Sequence, residues 1–139
     1  MDHQQRLDQL IETLIHEGAS DLHLSEGRSP VIRVSRLMTP LLSIPPLTAQ
    51  DMQGFKSILL SSVAQQEFDK NKEIDFSYSY SGDKARFRGN GFVRQGKISF
   101  ALRLIPDKIK TLKELNLPPI LESFTQLRQG FFLVVGPVG

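Results

Sequence analysis

The centre of the chain constrains the fold most, because residues 73–105 alternate between apolar and polar side chains through three successive segments. Such alternation is typical of strands with one buried face. Two short breaks, at 81–84 and 95–96, separate the segments, and each contains a glycine that can supply the positive φ of a tight hairpin turn. The pattern therefore predicts a three-stranded antiparallel meander with one apolar face. Its predicted strands are 73–80, 84–94 and 97–105.

The flanking sequence predicts helices that can cover the apolar face. Apolar residues recur at helical spacing over 3–17, where Gly18 ends the helix, and Thr48 is a suitable N-cap for a helix over 49–60. A shorter helix is predicted over 63–70. Short strands are predicted at 21–25, 31–35 and 41–44. These elements together predict an α+β fold.

Composition excludes several classes of protein. The chain has 139 residues, of which 40% are hydrophobic and 23% charged, so it can bury a core and is not disordered. It contains no cysteine, which excludes a disulfide framework and thiolate metal sites. Its longest apolar run, 131–135, is far shorter than the roughly 20 residues of a membrane-spanning helix. The polar N-terminus has no apolar core of a secretory signal, so a cytoplasmic location is predicted.

Positive charge is concentrated in one stretch. The net charge is only +2, but residues 84–113 contain a single acid, Asp107, among many bases. Such a stretch indicates either an anionic partner, an acidic neighbour or a solvated basic face. The bases are Lys84, Arg86, Arg88, Arg94, Lys97, Arg103, Lys108, Lys110 and Lys113.

The register of the meander brings arginines together. If both turns have two residues, Arg88 lies directly opposite Arg103, and Arg86 lies two residues along the same face. Opposed like charges destabilise a sheet unless an anion or an acid lies between them, and guanidinium groups suit phosphate well. The alternative is a surface network with Asp75, which lies diagonal to Arg88. A β-bulge at Gly96 would shift the register and break the pairing of Arg88 with Arg103.

Three further residues on the predicted strands invite an interpretation. Gly89 and Gly91 lie on the opposite side of their strand from Arg88, and glycine within a strand marks a bulge or a close approach of another group. His23 shares a face with Asp21. A single histidine on a short strand is usually structural, so we expect it to bond a neighbouring carbonyl or carboxylate and to have no catalytic role.

The C-terminal segment differs from the rest. Short helices are predicted between 112 and 124, and 130–136 is apolar on both faces, as parallel strands buried on both sides are. That strand leads into Gly136, Pro137, Val138 and Gly139, which fit the first four positions of the phosphate-binding loop GxxxxGK[ST]. A plain turn is the alternative. The Lys and Ser/Thr of the loop would lie beyond residue 139, so this chain is not expected to hydrolyse ATP.

Taken together, several segments resemble the N-terminal portion of the type II/IV secretion ATPase family, and within it the motors that retract type IV pili in twitching motility. The resemblance implies a PAS-like domain over 1–107, followed over 108–139 by a linker and the start of a RecA-like ATPase domain. The segments that carry it are Glu17–Leu24, Pro30–Val34, Glu73–Ser77, Ala85–Asn90, Leu102–Pro106, Leu115–Pro118 and Gly130–Gly139.

The resemblance also implies functional properties. In that family six subunits form a ring, nucleotide lies between the two domains, and arginines of this domain reach the phosphates; the matching residues are Arg86, Arg88 and Arg103. ATP and Mg²⁺ would be used by the full-length protein and not bound stably by this chain. The implied partners are the RecA-like domains of its own and neighbouring subunits and the pilus platform protein of the inner membrane, with no nucleic acid. The motor would work at the inner face of the cell membrane.

This sequence departs from the family pattern at two positions. Ser35-Arg36 stands where members often have Asp-Gly, so the sequence does not establish a hairpin there. Gly89 stands where a larger residue is usual, which predicts a looser strand.

Two other functions remain as alternatives. A free-standing PAS-like sensor would need a polar group on the apolar face to bind its ligand, and that face offers none. A single-stranded nucleic-acid binder would need aromatic side chains beside the arginines, and only Phe92 lies on that face.

Overall fold

The computed structural model describes residues 2–136. The chain divides into two compact units, Met1–Ile105 and Pro106–Gly139.

A six-stranded sheet forms the first unit. All five pairs of neighbouring strands are antiparallel, and their order across the sheet is β3-β2-β1-β6-β5-β4. The N-terminal strands β1–β3 therefore extend the meander β4–β6 through the contact between β1 and β6. The strands are β1 (Asp21–Ser25), β2 (Val31–Val34), β3 (Leu37–Pro40), β4 (Glu73–Tyr80), β5 (Ala85–Arg94) and β6 (Lys97–Ile105).

Three helices bury one face of this sheet. They are α1 (His3–His16), α2 (Ala49–Leu59) and α3 (Ser62–Asn71), close to the bounds that the sequence predicts. Thr48 caps α2 in a capping box with Asp51, which also accepts a hydrogen bond of 2.6 Å from Arg6 in α1. A single apolar core joins the helices to the sheet. Its fully enclosed members include Leu10, Ile11, Leu22, Leu24, Phe55, Phe68, Phe87, Phe100 and Leu102.

The predicted meander and its register are confirmed. Ser77 lies opposite Arg88, and Arg88 lies opposite Arg103. Gln95 and Gly96, with φ of 52° and 76°, form the two-residue turn between β5 and β6, so no bulge shifts the pairing.

The third strand lies elsewhere than predicted. The prediction of a strand at 41–44 is wrong, because β3 is Leu37–Pro40 and pairs with β2. The intervening hairpin forms without glycine: Ser35 and Arg36 themselves adopt φ of 47° and 73°. Since these values are unfavourable for residues with a Cβ, the strand pairing on either side must outweigh the local cost.

The two glycines of β5 make close contact with aromatic rings. The ring of Phe76 packs directly on Gly89, its cross-strand partner, where a Cβ would overlap the ring. At Gly91 a Cβ would lie 2.7 Å from the ring of Phe100. The predicted close approach is therefore confirmed. The expected loosening at Gly89 is absent, because β5 keeps unbroken pairing on both sides.

The second unit contains little regular structure. Its one helix in the described residues is α4 (Ile120–Phe124), and the ring of Phe132 stacks on Phe124 at 4.8 Å between centroids. The strand predicted at 130–136 does not form: residues 131–136 have neither helix nor strand, and Phe131 is fully exposed. A strand that is apolar on both faces needs neighbouring strands, and the described part of this unit supplies none. Pro137, Val138 and Gly139 lie outside the described residues.

Among residues 2–136, no helix is long and apolar enough to cross a bilayer.

The contact of Phe76 with Gly89 leads to a stability prediction. We expect Gly89→Ala to lower the free energy of unfolding by about 1–3 kcal/mol, because the new methyl group overlaps a ring held in the sheet. Urea denaturation measures this. The same change in a Phe76→Leu background should lose much less stability, and Ser77→Ala, on the other face of β4, should change it by less than about 0.5 kcal/mol. Wild-type stability of Gly89→Ala would show that the ring moves aside freely.

Candidate functional site

The face of the sheet opposite the helices carries a row of charged side chains in register. Asp21 of β1 lies between Arg33 of β2 and Arg103 of β6, and Arg103 lies opposite Arg88 of β5. Strand alternation places these four residues on one face, since Leu22 and Leu102 beside them are fully buried on the other. The row therefore crosses four strands with a single carboxylate among three guanidinium groups.

Asp21 is the carboxylate that compensates the arginines. Its Oδ1 accepts a hydrogen bond of 2.8 Å from Nε of Arg103, and its Oδ2 lies 3.3 Å from Nε of Arg33. The hydroxyl of Ser20 donates a further bond of 2.6 Å. The Asp21 side chain is only 8% exposed, whereas that of Arg103 is 71% exposed. The ion pair is therefore buried at its acidic end and open to solvent at its basic end.

These contacts hold Asp21 in its charged form. Burial by itself raises the pKa of the carboxyl, but the bonds from Ser20 and Arg103 and the charges of Arg103 and Arg33 outweigh it, so the pKa lies below its ordinary value of 3.8. Asp21 is consequently ionised throughout the physiological range.

The alternative of a surface ion-pair network with Asp75 does not form in the described residues. Asp75 lies opposite Asn90, whose Nδ2 donates to Oδ1 of Asp75 at 3.2 Å, and it makes no ion pair with any residue in the described range. Sequence reasoning missed Asp21 because its strand lies far along the chain from β6. The alternation of residues around His23 indicates on which face of its strand Asp21 lies, but it does not indicate that Arg103 lies beside Asp21.

The three predicted arginines share this face but differ in their contacts. Arg103 is engaged by Asp21. Arg86, opposite Ser79 and Ile105, and Arg88 are exposed, and neither forms an ion pair within residues 2–136. Arg88 therefore carries an uncompensated charge directly beside the Asp21–Arg103 pair.

A shallow basin opens beside Arg88. Its volume is about 290 Å³, and Ala101, which lies between His23 of β1 and Asn90 of β5 in the sheet, is one of its lining residues. The short side chain of Ala101 leaves a depression among longer neighbours. The polar residues that line it are Asp21, His23, Asp75, Arg88, Asn90 and Arg103.

His23 does not bond a neighbour as predicted. Its Nε2 is buried and has no hydrogen-bond partner in the described part of the chain. Burial lowers the pKa of the imidazole; the negative charge of Asp21 opposes this, and the positive charges of Arg33 and Arg103 add to it. These influences favour the neutral form of His23, whose Nε2 is unbonded and which is among the residues that line the basin.

The basin suits an anion and not a metal ion. Arg88 and Arg103 line it beside Asp21 and Asp75, and the described residues contain no group of three His, Cys, Asp or Glu side chains that could hold a metal ion. A guanidinium group without a carboxylate partner is a ready site for the oxygens of a phosphate.

Sequence comparisons find relatives among pilus ATPases. No protein-family profile matches the chain. It is 32% identical over 133 residues to the type IV pilus retraction ATPase PilT of Pseudomonas aeruginosa, covering 96% of this chain and 38% of that protein. It is 28% identical to the type IV pilus ATPase PilU of the same organism, covering 95% of this chain and 34% of that protein. The chain thus spans little more than a third of the relatives it matches.

Solved structures agree with this result. The pilus retraction motor PilT with bound ADP superimposes with a TM-score of 0.70 and 34% identity over 82% of this chain and 33% of that one. The ATPase DotB of Legionella pneumophila gives a TM-score of 0.73 over 89% of this chain and 35% of its own. Its identity of 21% supports the fold alone.

The ion pairs of Asp21 make stability depend on pH. We expect Asp21→Asn to destabilise the protein by about 1–3 kcal/mol at neutral pH, because two arginines lose their charged acceptor. The folded-state pKa is depressed, so the advantage of the wild type is complete well above pH 3.8 and disappears as pH falls through the folded-state pKa.

Urea denaturation from pH 7 to pH 2 measures this gap. Asp75→Asn is the matched control on the same face and should change stability by less than about 0.5 kcal/mol. A gap between wild type and Asp21→Asn that persists undiminished at pH 2 would contradict the assignment.

Proposed function

We propose, from the resemblance of this chain to the N-terminal domain of the pilus retraction ATPase PilT over 96% of its length, that it is the N-terminal domain of an ATP-driven motor of type IV pilus retraction. Its PAS-like α+β sheet provides the scaffold, and its polar face provides contacts to nucleotide held elsewhere in the motor.

The observation that carries this proposal is the uncompensated charge of Arg88. The sheet places Arg88 opposite Arg103, and the one carboxylate that forms ion pairs on this face, Asp21, is shared between Arg33 and Arg103, so Arg88 has no ion pair in the described residues. That charge destabilises the empty face and is relieved by an anion. The ADP bound to the PilT structure supports phosphate as that anion.

The three arginines have distinct roles in this proposal. Arg88 is free to form two parallel hydrogen bonds with phosphate oxygens, as planar guanidinium groups do. Arg103 shares its charge between Asp21 and the phosphate, since only its Nε is bonded to the carboxylate. Arg86, exposed on the same strand, extends the positive surface toward the outer phosphate.

The rest of the motor supplies the reaction. Residues 1–107 are proposed as the PAS-like domain, and 108–139 as a linker and the start of a RecA-like ATPase domain. There Gly136, Pro137, Val138 and Gly139 begin the phosphate-binding loop. ATP and Mg²⁺ are proposed to be bound by the full-length protein, whose RecA-like domain would supply the lysine and hydroxyl of that loop. The arginines of this chain stabilise negative charge on the phosphates without forming covalent bonds.

The proposed partners and location of this domain are those implied by its resemblance to the pilus motors. The proposed partners are the RecA-like domain of its own chain, those of neighbouring subunits in a homohexamer, and the platform protein of the pilus machine at the inner membrane. The proposed location is the cytoplasm, at the inner face of that membrane, and nucleic acid has no part in the function. Phe92, the one aromatic residue on the arginine face of its strand, cannot provide a stacking platform by itself.

The arginine roles are tested in the full-length motor. We expect Arg88→Ala to lower the rate of ATP hydrolysis on the order of 10²–10³-fold, because a positioned charge that stabilises the transition state is lost. The melting temperature should stay within a few degrees of wild type, since Arg88 is exposed and unpaired in the described residues. Arg86→Ala should act similarly, and Arg103→Ala should reduce both turnover and stability, because it also frees Asp21.

Arg94→Ala is the matched control, since Arg94 is an exposed arginine of the same strand for which no phosphate contact is proposed. It should keep normal turnover. Near-normal turnover in all three test variants would assign the arginines to a solvated or docking surface. Turnover that falls only in step with melting temperature would make them structural.

The 139-residue chain itself should be inactive. We expect the purified chain to release no phosphate from ATP above background with Mg²⁺ present, because it contains only the first half of the phosphate-binding loop. A colorimetric phosphate assay measures this, with the full-length motor as the positive control. Robust Mg²⁺-dependent release of phosphate by the 139-residue chain would overturn the proposal that ATP hydrolysis needs the rest of the motor.

A further inference from the structure

Asn90 and Gly91 form an Asn-Gly pair in the interior of β5. An Asn-Gly pair is a strong signal for a tight hairpin turn, since both residues tolerate positive φ. Here the pair lies in a strand instead, with Asn90 opposite Asp75 of β4 and Ala101 of β6, and neither residue of the pair has a positive φ. The sheet therefore imposes an extended backbone on a sequence that favours a turn.

Packing explains the glycine of this pair, and hydrogen bonding explains the asparagine. A Cβ at position 91 would lie 2.7 Å from the ring of Phe100, so a larger residue would have to displace a ring of the core. The amide nitrogen of Asn90 donates to Oδ1 of Asp75 at 3.2 Å. It also lies 3.4 Å from the carbonyl oxygen of Ile74 and 3.5 Å from Oε1 of Glu73. An aspartate at position 90 would lie opposite one acid and diagonal to another, so the sheet favours the uncharged amide there.

The same pair is chemically labile when its backbone is free. The backbone nitrogen of Gly91 can attack Cγ of Asn90, so that a C–N bond forms and closes a succinimide ring. The proton of the attacking nitrogen passes through solvent to the side-chain nitrogen of Asn90, which leaves as ammonia. Water then opens the ring at either of its carbonyl groups and gives aspartate or isoaspartate. Glycine permits this ring closure best, because it has no side chain to obstruct the attack.

Strand β5 opposes this reaction in the folded chain. Ring closure requires the side chain of Asn90 to fold back onto the nitrogen of Gly91, with a backbone far from the extended conformation of a strand. In the sheet β5 is paired on both sides, and the amide of Asn90 is held toward β4 by Asp75. Gly91 is also buried. The attack therefore needs β5 to leave the sheet.

We propose that Asn90-Gly91 is a deamidation site that the sheet closes: Asn90 converts to aspartate or isoaspartate, through a succinimide, only when β5 unpairs. The converted chain then returns to a less stable sheet. Deamidation thus makes some openings of β5 irreversible.

Each product destabilises the sheet for its own reason. Isoaspartate adds one carbon to the backbone of β5, so the residues on one side of it lose their register with β4 and β6. Aspartate keeps the register but brings a third carboxylate beside Asp75 and Glu73. Arg88, two residues along β5, is exposed, so solvent screens its attraction for the new charge.

The first test compares the conversion of two asparagines in the folded and the denatured 139-residue chain. The chain is incubated at mildly alkaline pH without and with concentrated urea and is then digested with trypsin. Mass spectrometry follows the peptides 89–94 and 114–128, which contain Asn90 and Asn116. In urea Asn90 should convert faster than Asn116, because the side chain of Leu117 obstructs ring closure at Asn116. In the folded chain the conversion of Asn90 should be at least about 100-fold slower than in urea, since its rate follows the small population with β5 open.

Three variants control for the chemistry and for the fold. Asn90→Gln keeps an amide but would need a larger ring, so its peptide 89–94 should stay unconverted in urea. Gly89→Ala, which is expected to destabilise the sheet, should speed the conversion of Asn90 in the folded chain about fivefold or more, in proportion to the unfolded population. Ser77→Ala should leave that rate unchanged. In urea both Gly89→Ala and Ser77→Ala should convert at the wild-type rate.

Refolding tests the effect of conversion on the sheet. Chains converted in urea and then refolded should unfold at a lower urea concentration than untreated chains, as circular dichroism measures. Asn90→Gln chains should keep their own unfolding midpoint after the same incubation. Equal conversion of Asn90 with and without urea, or conversion in urea no faster than that of Asn116, would overturn the closed site. Wild-type stability in the converted chains would show that the sheet tolerates the products.

Discussion

The two ion pairs of Asp21 join the two halves of the sheet. Strands β1–β3 and the meander β4–β6 meet at the contact between β1 and β6, and there Asp21 bonds Arg103 across the junction while it also binds Arg33 on its other side. Without this carboxylate, Arg33, Arg103 and Arg88 would form an uninterrupted row of like charges. The buried carboxylate of Asp21 therefore stabilises the pairing of β1 with β6 on the polar face.

Burial of apolar residues on the opposite face of the same strands offsets the unfavourable free energy of placing arginines side by side. Strand β5 alternates arginine with glycine and phenylalanine, so each exposed charge is backed by a residue packed in the core. Phe76 and Phe100 fill the space above Gly89 and Gly91, which gives β5 continuous pairing despite two flexible residues. Burial of these rings stabilises the sheet enough to tolerate an unpaired guanidinium on its other side.

Local patterns predicted most of the fold but little of the site's environment. The meander register follows from turns of two residues, and the helices follow from apolar spacing and from the cap at Thr48, so both could be predicted from nearby residues. The Ser35-Arg36 hairpin could not, because pairing on both sides overrides an unfavourable φ. The contact of Asp21 with Arg103 joins residues 82 positions apart in sequence, and no local signal indicates it. The missing hydrogen-bond partner of Nε2 of His23 likewise depends on strands that are distant in sequence, so the sequence could not predict it.

Two features of the polar face are unfavourable for stability: Arg88 has no ion pair in the described residues, and Nε2 of His23 has no hydrogen-bond partner there. Both residues line the same basin. Each alone could reflect an accident of packing, and substitution to an apolar residue would then be the simpler solution for stability. The proposed phosphate would relieve the charge at Arg88, because its oxygens would bring negative charge to the guanidinium. A face that keeps two such unfavourable features agrees with the proposed role, because functional sites commonly depart from the most stable local sequence.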